Sequence, residues 1–306
     1  MRALRGLTVF TFAGLALACT GSGQEDSALD SEEQEAPPAR LLLVMDNSSS
    51  MADEAGGLAA LADQLMVEGV TVGITTTSVE DPGNSPPGLA GALVGDPTTD
   101  AEEFQRQLLC EATCWQSSSV PSEPAYTCGD PWEQVTLQLL DCACGFEAWE
   151  GSCGSGDEEH LEAALLGACR SVEPMPEACL EQSPLDGSEA GSGVLVAGQN
   201  NLVVVVSDEG DGSRRLAQGE DDPAVYLSLY EDLGLDLTFA VLGPNYDPSA
   251  GTLECNSGGA TTWGSQRLRE VSEVTGGLYA PIGVTGGSGC EQGDLQGFVA
   301  EVVALF

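Results

Sequence analysis

An aspartate and two serines occupy alternate positions directly after an apolar run. Asp46, Ser48 and Ser50 follow residues 41–45, whose sequence is LLLVM. One carboxylate and two hydroxyls supply the hard oxygen donors that cations such as Mg2+ and Ca2+ prefer. The same residues also suit a strand end followed by a serine-rich helix N-cap. These residues alone leave both interpretations open.

The position of this carboxylate, and of a second one, depends on two buried strands. The run before Asp46 has the length and composition of a strand that is buried on both faces. Residues 201–207 (NLVVVVS) form a clearer run of the same kind and lead directly into Asp208. Strands alternate with amphipathic helices from residue 39 onward. This pattern predicts an α/β fold with a doubly wound, mostly parallel sheet that is covered by helices on both faces.

The order of the strands decides whether the two aspartates meet. Beyond these two strands we predict further strands over residues 70–77, 88–95, 235–242 and 277–282, and helices over residues 54–66, 102–110, 133–140, 158–172, 222–233, 265–274 and 294–306. In a doubly wound sheet of order 3-2-1-4-5-6, the strands ending at Asp46 and Asp208 are neighbours at the point where ligands bind. Two close carboxylates repel unless one is protonated or a cation lies between them. We therefore predict a divalent cation between them.

These two motifs together resemble the metal-ion-dependent adhesion site of von Willebrand factor type A (VWA) domains. The segment Asp46-Asn-Ser48-Ser-Ser50 resembles the DxSxS motif of the family, and the strand leading into Asp208 resembles its second aspartate motif. The resemblance spans roughly residues 38–306 and implies a VWA (Rossmann-like) fold. It implies bound Mg2+, or Mn2+ or Ca2+, with the aspartates as ligands directly or through water and the serines as direct ligands. In the family, an open coordination position is filled by a carboxylate of the bound partner.

The chain departs from the family at a third position. VWA domains use a threonine from a loop before the second aspartate strand, whereas the corresponding loop here carries acids. We predict Glu158 as the replacement, with Glu159 and Ser155 as alternatives. An acid at this position adds negative charge at the ion and weakens its attraction for a ligand carboxylate.

The charge and the single histidine narrow the classes of function. Asp and Glu number 49 against nine basic residues, all of them arginine, and the net charge is −40. This balance argues against a nucleic acid or an anionic membrane surface as the partner. We predict that His160, at the start of a helix, is solvated. Nucleophilic catalysis by a Ser-His or Cys-His pair would then lack its histidine. We therefore predict that the chain is not an enzyme.

The N-terminus indicates export. Arg2 and Arg5 precede an apolar run that is shorter than the roughly 20 residues needed to cross a bilayer, so we predict a signal peptide over residues 1–18. Cys19 follows a small-residue cleavage site, which resembles the lipobox of bacterial lipoproteins and implies that Cys19 is lipidated. Ala16 stands where the lipobox usually has leucine, and a secreted protein that begins at Cys19 is the alternative. Residues 19–38 are acidic and without periodicity, as in a disordered tether.

Cysteine usage supports an oxidising compartment. Apart from Cys19, ten of the 11 cysteines remain, enough for up to five disulfides. Cys255 and Cys290 stand apart from the others, and we predict that they pair. We predict a disulfide-stapled, cysteine-rich insertion at about residues 96–155 within a VWA-like domain that spans residues 39–306. A zinc site at Cys110 and Cys114, or at Cys142 and Cys144, is the alternative for part of it.

The sequence thus predicts a lipoprotein of the cell envelope, in the outer membrane or periplasm, that contacts the membrane only through its anchor. It would bind a divalent cation and, through that cation, a protein partner. One alternative is an interaction scaffold with a vestigial metal site whose insertion makes the contacts. Another is a metal-dependent hydrolase, for which no general base is evident.

Overall fold

The apolar runs of the sequence become the strands of a parallel sheet. The computed structural model describes residues 39–47, 51, 57–59, 61–67, 69–79, 89–108, 158–255, 261–282 and 294–306. The strands are β1 (Ala39–Met45), β2 (Thr71–Thr76), β3 (Asn200–Val206), β4 (Leu237–Gly243), β5 (Asn245–Asp247), β6 (Thr252–Cys255) and β7 (Leu278–Pro281). The helices are α1 (Ala62–Leu65), α2 (Ala101–Gln107), α3 (His160–Arg170), α4 (Ala224–Leu233), α5 (Thr262–Val274) and α6 (Leu295–Val303), with a 3-10 turn at Glu177–Cys179. The helix predicted over residues 133–140 lies outside these ranges.

Five strands form the central sheet in the order β2-β1-β3-β4-β7, and each neighbouring pair is parallel. The last residues of β1 and β3, Met45 and Val206, lie opposite each other. The predicted α/β class is confirmed, and so is the prediction that the strand before Asp46 neighbours the strand before Asp208.

The prediction of a strand over residues 88–95 is wrong for residues 89–95, which are the part of this segment that the structure describes. Residues 89–95 form turns rather than a strand. Ala90 and Gly91 adopt left-handed conformations, with φ of 48° and 72°, and these reverse the chain where a strand would have to stay extended. The edge strand β2 instead forms an isolated antiparallel bridge, in which its residue Val72 pairs with Thr98.

Helices cover both faces of the sheet. Because successive strand residues point to opposite faces, Leu41 and Leu43 pack with α1, α2 and α6, whereas Leu42 and Val44 pack with α3, α4 and α5. Phe104 belongs to the first of these two core clusters. The first residues of the predicted insertion, up to residue 108, therefore contribute to the core. Within the described residues we find no helix whose length and apolar character suffice for a transmembrane span.

Outside the central sheet, the described residues contain a disulfide and a small antiparallel hairpin. Cys169 and Cys179 form a disulfide that joins the end of α3 to the 3-10 turn. The predicted pairing of Cys255 with Cys290 lies outside the described side chains. The small antiparallel hairpin of β5 and β6 was not predicted, because its strands are too short to show a periodic pattern.

Candidate functional site

Asp46 and Asp208 lie at the ends of neighbouring strands, on the same edge of the sheet. Asp46 follows β1, and its backbone N–H donates to the Val206 carbonyl at 2.9 Å. Its carboxylate is fully buried and accepts a 2.6 Å hydrogen bond from Ser207 Oγ. Asp208 is the next residue and is 6% exposed. The carboxyl end of the sheet therefore holds both predicted aspartates, one on each side of the β1–β3 junction.

Glu158 reaches this edge from the segment that precedes α3. It is 2% exposed, and its Oε2 accepts a hydrogen bond from the Thr77 hydroxyl directly after β2. The Thr77 N–H donates to the Met45 carbonyl at 3.1 Å, which extends the β1–β2 pairing by one residue. The Glu158 carbonyl accepts a 2.7 Å hydrogen bond from the Gly212 N–H. Glu158 is thus held between the end of β2 and the loop that follows β3.

The neighbouring carboxylates act electrostatically on Glu158. Burial and the charge of Asp46 raise the pKa of Glu158 well above its ordinary value, with Glu209 and Asp208 adding to the increase. The hydrogen bond from Thr77 opposes the change in pKa. Asp46, Asp208 and Glu209 therefore lie within electrostatic range of Glu158.

The two glutamates before α3 have different partners. Glu159 accepts hydrogen bonds from Arg214 Nε at 2.7 Å and from Arg214 Nη2 at 2.6 Å. Glu158 instead faces Thr77 and the aspartates. Of the three predicted candidates at this position, Glu158 faces Thr77 and the aspartates and Glu159 faces Arg214, whereas Ser155 lies outside the described residues.

The donor set at this edge fits a hard divalent cation. All the side chains concerned offer oxygen, which is the ligand type of Mg2+, Mn2+ and Ca2+. Glu158 Oε1 is buried and has no hydrogen-bond partner among the described residues. In the part of the chain that the structure describes, no group of three or more His, Cys, Asp or Glu side chains is arranged to hold a metal ion. Ser48 and Ser50, which would complete the predicted site, lie outside that part, as does Cys19.

A second polar layer lies behind these carboxylates and joins the loop of residues 207–213 to α3. The N-cap residue of α3, Glu159, makes no capping hydrogen bond with its side chain. The loop supplies the caps instead: Asp211 Oδ1 accepts from the Leu161 N–H at 3.0 Å, and Ser213 Oγ accepts from the Glu162 N–H at 2.9 Å. These bonds satisfy N–H groups that a helix start leaves unpaired. They fix the start of α3 relative to the loop that carries Asp208.

Arginine side chains form salt bridges with the acidic side chains of this second polar layer. Arg267 Nη1 lies 3.2 Å from Asp211 Oδ2, and both side chains are almost fully buried. Arg215 Nε donates to Glu162 Oε2 at 2.8 Å. Burial raises the pKa of Asp211, while its hydrogen bonds and Arg267 oppose that change. The salt bridges of these arginines are therefore directed at acids behind the site.

The prediction that His160 is solvated is wrong, because the 207–213 loop covers the start of α3. The His160 ring is fully buried, and neither ring nitrogen has a hydrogen-bond partner among the described residues. Its Nδ1 lies 3.8 Å from Asp211 Oδ1. Burial lowers the pKa of His160 to about 3, so the ring is neutral at physiological pH.

This buried ring gives a pH-dependent prediction. Because the folded-state pKa is below the ordinary value of 6.5, the unfolded chain binds a proton that the folded chain does not, and stability falls as the pH drops from 6.5 towards 3. We expect His160→Leu to remove this loss. Urea unfolding should show the variant gaining about 2 kcal/mol relative to wild type between about pH 7.5 and about pH 5. An unchanged difference between the two pH values would contradict the neutral buried ring.

The residues that position the acids were not predicted from the sequence. Thr77, Ser207, Asp211 and Ser213 were not identified, although Thr77 and Ser207 each follow a predicted strand interior directly. Thr77 and Ser207 could have been predicted, because a polar residue at the carboxyl end of a parallel strand lies where ligands bind. Asp211 and Ser213 had no such signal, because their partners lie some 50 residues earlier in the chain.

Comparison with known proteins adds no identification: no protein-family profile matches the chain, and no curated protein sequence matches it. Function is therefore inferred from this chain's own residues.

Proposed function

We propose that this protein is a non-enzymatic, VWA-like binding protein that holds a divalent cation at the carboxyl end of its sheet and engages a protein partner through it. The observation that carries the proposal is the meeting of Asp46 and Asp208 at neighbouring strand ends, with the buried Glu158 held beside them. A cation would relieve the repulsion among these acids.

Each residue has a distinct role in this proposal. Asp46 and Asp208 would hold Mg2+, or Mn2+ or Ca2+, directly or through water, together with Ser48 and Ser50. Glu158 would stand in for the family threonine, and Ser207 orients the Asp46 carboxylate by its hydrogen bond. When bound, the cation supplies a coordination position for an oxygen of the partner. This chain's residues bind and orient, and none of them is proposed as an acid or base in turnover.

Titration of Mn2+ or Mg2+ into the mature chain tests the proposal. We expect saturable binding to wild type and binding weaker by about 100-fold or more in Asp46→Asn and Asp208→Asn, since each variant removes a charged ligand. Asp232→Asn, on the exposed face of α4, removes the same charge elsewhere and should bind like wild type.

Three results would contradict the proposal. Wild type without metal-dependent heat would favour the scaffold with a vestigial site. Equal weakening in Asp232→Asn would mean that general charge, and not the strand ends, attracts the ion. Turnover of phosphate esters that is lost in Asp208→Asn would favour the hydrolase.

We further propose that the chain is exported and anchored in the cell envelope through a lipid on Cys19. The net charge of −40 supports solubility and attraction of cations rather than contact with an anionic membrane surface. The mass of the mature N-terminal peptide checks this proposal, because an unmodified Cys19 would favour the secreted alternative. A pull-down from the native envelope with and without EDTA should recover the partner only when the cation is present.

A further inference from the structure

A cavity of about 460 Å³ opens at the amino end of the sheet, between the ends of α4 and α5 and the start of β4. β4 is seven residues long and runs parallel to β3. The cavity therefore lies at the edge of the sheet opposite to Asp46 and Asp208, roughly 20 Å away along the strands. Its volume lies within the range of small-molecule binding sites, and it shares no residue with the cation site described above.

We propose that this cavity binds a small organic cation with an aliphatic body, of the alkylguanidinium or alkylammonium class. Its lining combines the two features that such a ligand requires. Leu227, Leu237 and Val274 supply apolar contact, and the acids Glu231 and Asp236 line the same space. The described residues of the lining include no basic side chain. The proposal does not depend on the cation site at the other edge of the sheet.

The helices that border the cavity add to its negative potential. Glu231 and Val274 belong to the last turns of α4 and α5, so both helices direct their carboxyl ends at the cavity. A helix carboxyl end has a negative partial charge, which basic side chains in the last turn usually balance. Neither helix has a basic residue there. Arg269, one turn earlier on α5, pairs with Glu273 at 2.7 Å. A bound cation would supply the missing positive charge.

Hydrogen bonds hold the walls of the cavity in place. The Thr275 hydroxyl accepts from the Phe239 N–H at 3.0 Å, which ties the end of α5 to β4. The buried Asn201 side chain donates to the Leu235 carbonyl and so fixes the turn between α4 and β4. Because both walls are fixed by bonds to the sheet, the site is pre-formed, and a ligand has little protein to order on binding.

Two residues of the lining have features typical of a ligand site. Val274 is 63% exposed, more than any other large hydrophobic residue that the structure describes, and the aliphatic body of a ligand would remove its surface from water. Asp236 has φ of 53°. Left-handed conformations of residues other than glycine cost energy, and they concentrate at active sites and ligand clamps.

Butylguanidinium and butylurea form a matched pair of probes, because they have the same shape and differ in charge. We would titrate each into the 15N-labelled mature chain in the presence of EDTA, which keeps divalent cations off the protein, and follow the amide chemical shifts by NMR. We expect saturable shifts at millimolar butylguanidinium, as for a ligand of about eight heavy atoms. The shifts should be largest near Gly234, Thr275 and Gly276, and butylurea should not saturate in this range. Methylguanidinium, which has a shorter apolar body, should bind about tenfold or more weakly.

Charge variants locate the site. Glu231→Gln/Asp236→Asn should weaken butylguanidinium binding by about tenfold or more, because it removes two charges from the lining. Asparagine tolerates the left-handed conformation of residue 236, so the turn before β4 is kept. Asp63→Asn/Glu301→Gln removes the same two charges from exposed positions on α1 and α6, which cover the other face of the sheet. This control should bind like wild type.

Several outcomes would overturn the proposal. The absence of saturable shifts near the cavity in wild type would do so, and so would equal binding of butylurea, which would show that charge is not recognised. Equal weakening in the Asp63→Asn/Glu301→Gln control would mean that diffuse charge attracts the probe. A capped Ala-Arg-Ala peptide that bound about tenfold more tightly than butylguanidinium would assign the cavity to a side chain of a partner protein. The comparisons in wild type decide the matter even if the lining variant does not fold.

Discussion

Replacing Arg267 with methionine should destabilise the folded chain by about 3–5 kcal/mol, because it leaves the buried Asp211 carboxylate without its counter-charge. Arg267 is 1% exposed, and its guanidinium also donates to the carbonyls of Glu220 at 2.6 Å and Ala217 at 2.9 Å. Methionine fills much of the same volume without replacing any of these bonds. Urea unfolding at neutral pH measures the loss.

A neighbouring arginine provides the control. Arg269 lies on the same helix and pairs with Glu273 at 2.7 Å, but both side chains are partly exposed, at 31% and 60%. Exposed pairs of this kind contribute about 0.2–1 kcal/mol, so Arg269→Met should cost little. The double variant Arg267→Met/Asp211→Asn should be more stable than Arg267→Met alone, since no unpaired charge remains. Equal costs for the two arginines would contradict the buried ion pair.

Adding a methyl group at Gly277 should cost about 3 kcal/mol of stability. A Cβ at this position would overlap the backbone carbonyl of Phe239, directly before the point where β4 and β7 pair at Ala240 and Leu278. The Gly277 N–H also donates to the Ser272 carbonyl at 2.8 Å. Gly277→Ala must therefore push the start of β7 away from the sheet, and urea unfolding should report the loss.

The preceding glycine separates crowding from backbone strain. Gly276 has φ of 75°, and nothing lies within 4 Å of a Cβ added there. Gly276→Ala should cost about 1 kcal/mol of stability, because alanine disfavours the left-handed conformation but would not clash with a neighbour there. If Gly276→Ala cost as much as Gly277→Ala, conformational strain rather than the approach to Phe239 would explain both.

The buried strands were predictable from sequence because burial on both faces leaves an uninterrupted apolar run. The runs before Asp46 and Asp208 have this pattern, and both become neighbouring strands. The residue that ends such a run lies at the carboxyl edge of the sheet, so the placement of both aspartates was already implied. The segment after Ser78 gave no comparable signal, and the left-handed turn at Ala90 and Gly91 replaced the predicted strand.

The partners of the acids were decided only by the tertiary structure. The sequence identified Glu158 as a candidate in the segment before α3, but not that Thr77 would bond to it while Arg214 bonds to Glu159. Such bonds join positions some 55 to 81 residues apart, and no local pattern records them.

The sequence by itself determined the α/β class and the aspartate that ends each apolar run, because these runs and their alternation with amphipathic helices are local properties of the chain. That the two strands are neighbours was predicted from the strand order of doubly wound sheets, and the tertiary structure confirmed it. Only the tertiary structure decided that His160 is buried and that Asp211 caps α3. A loop folded over a helix start excludes water and supplies hydrogen bonds from a distant segment, and both effects exist only once the chain is packed.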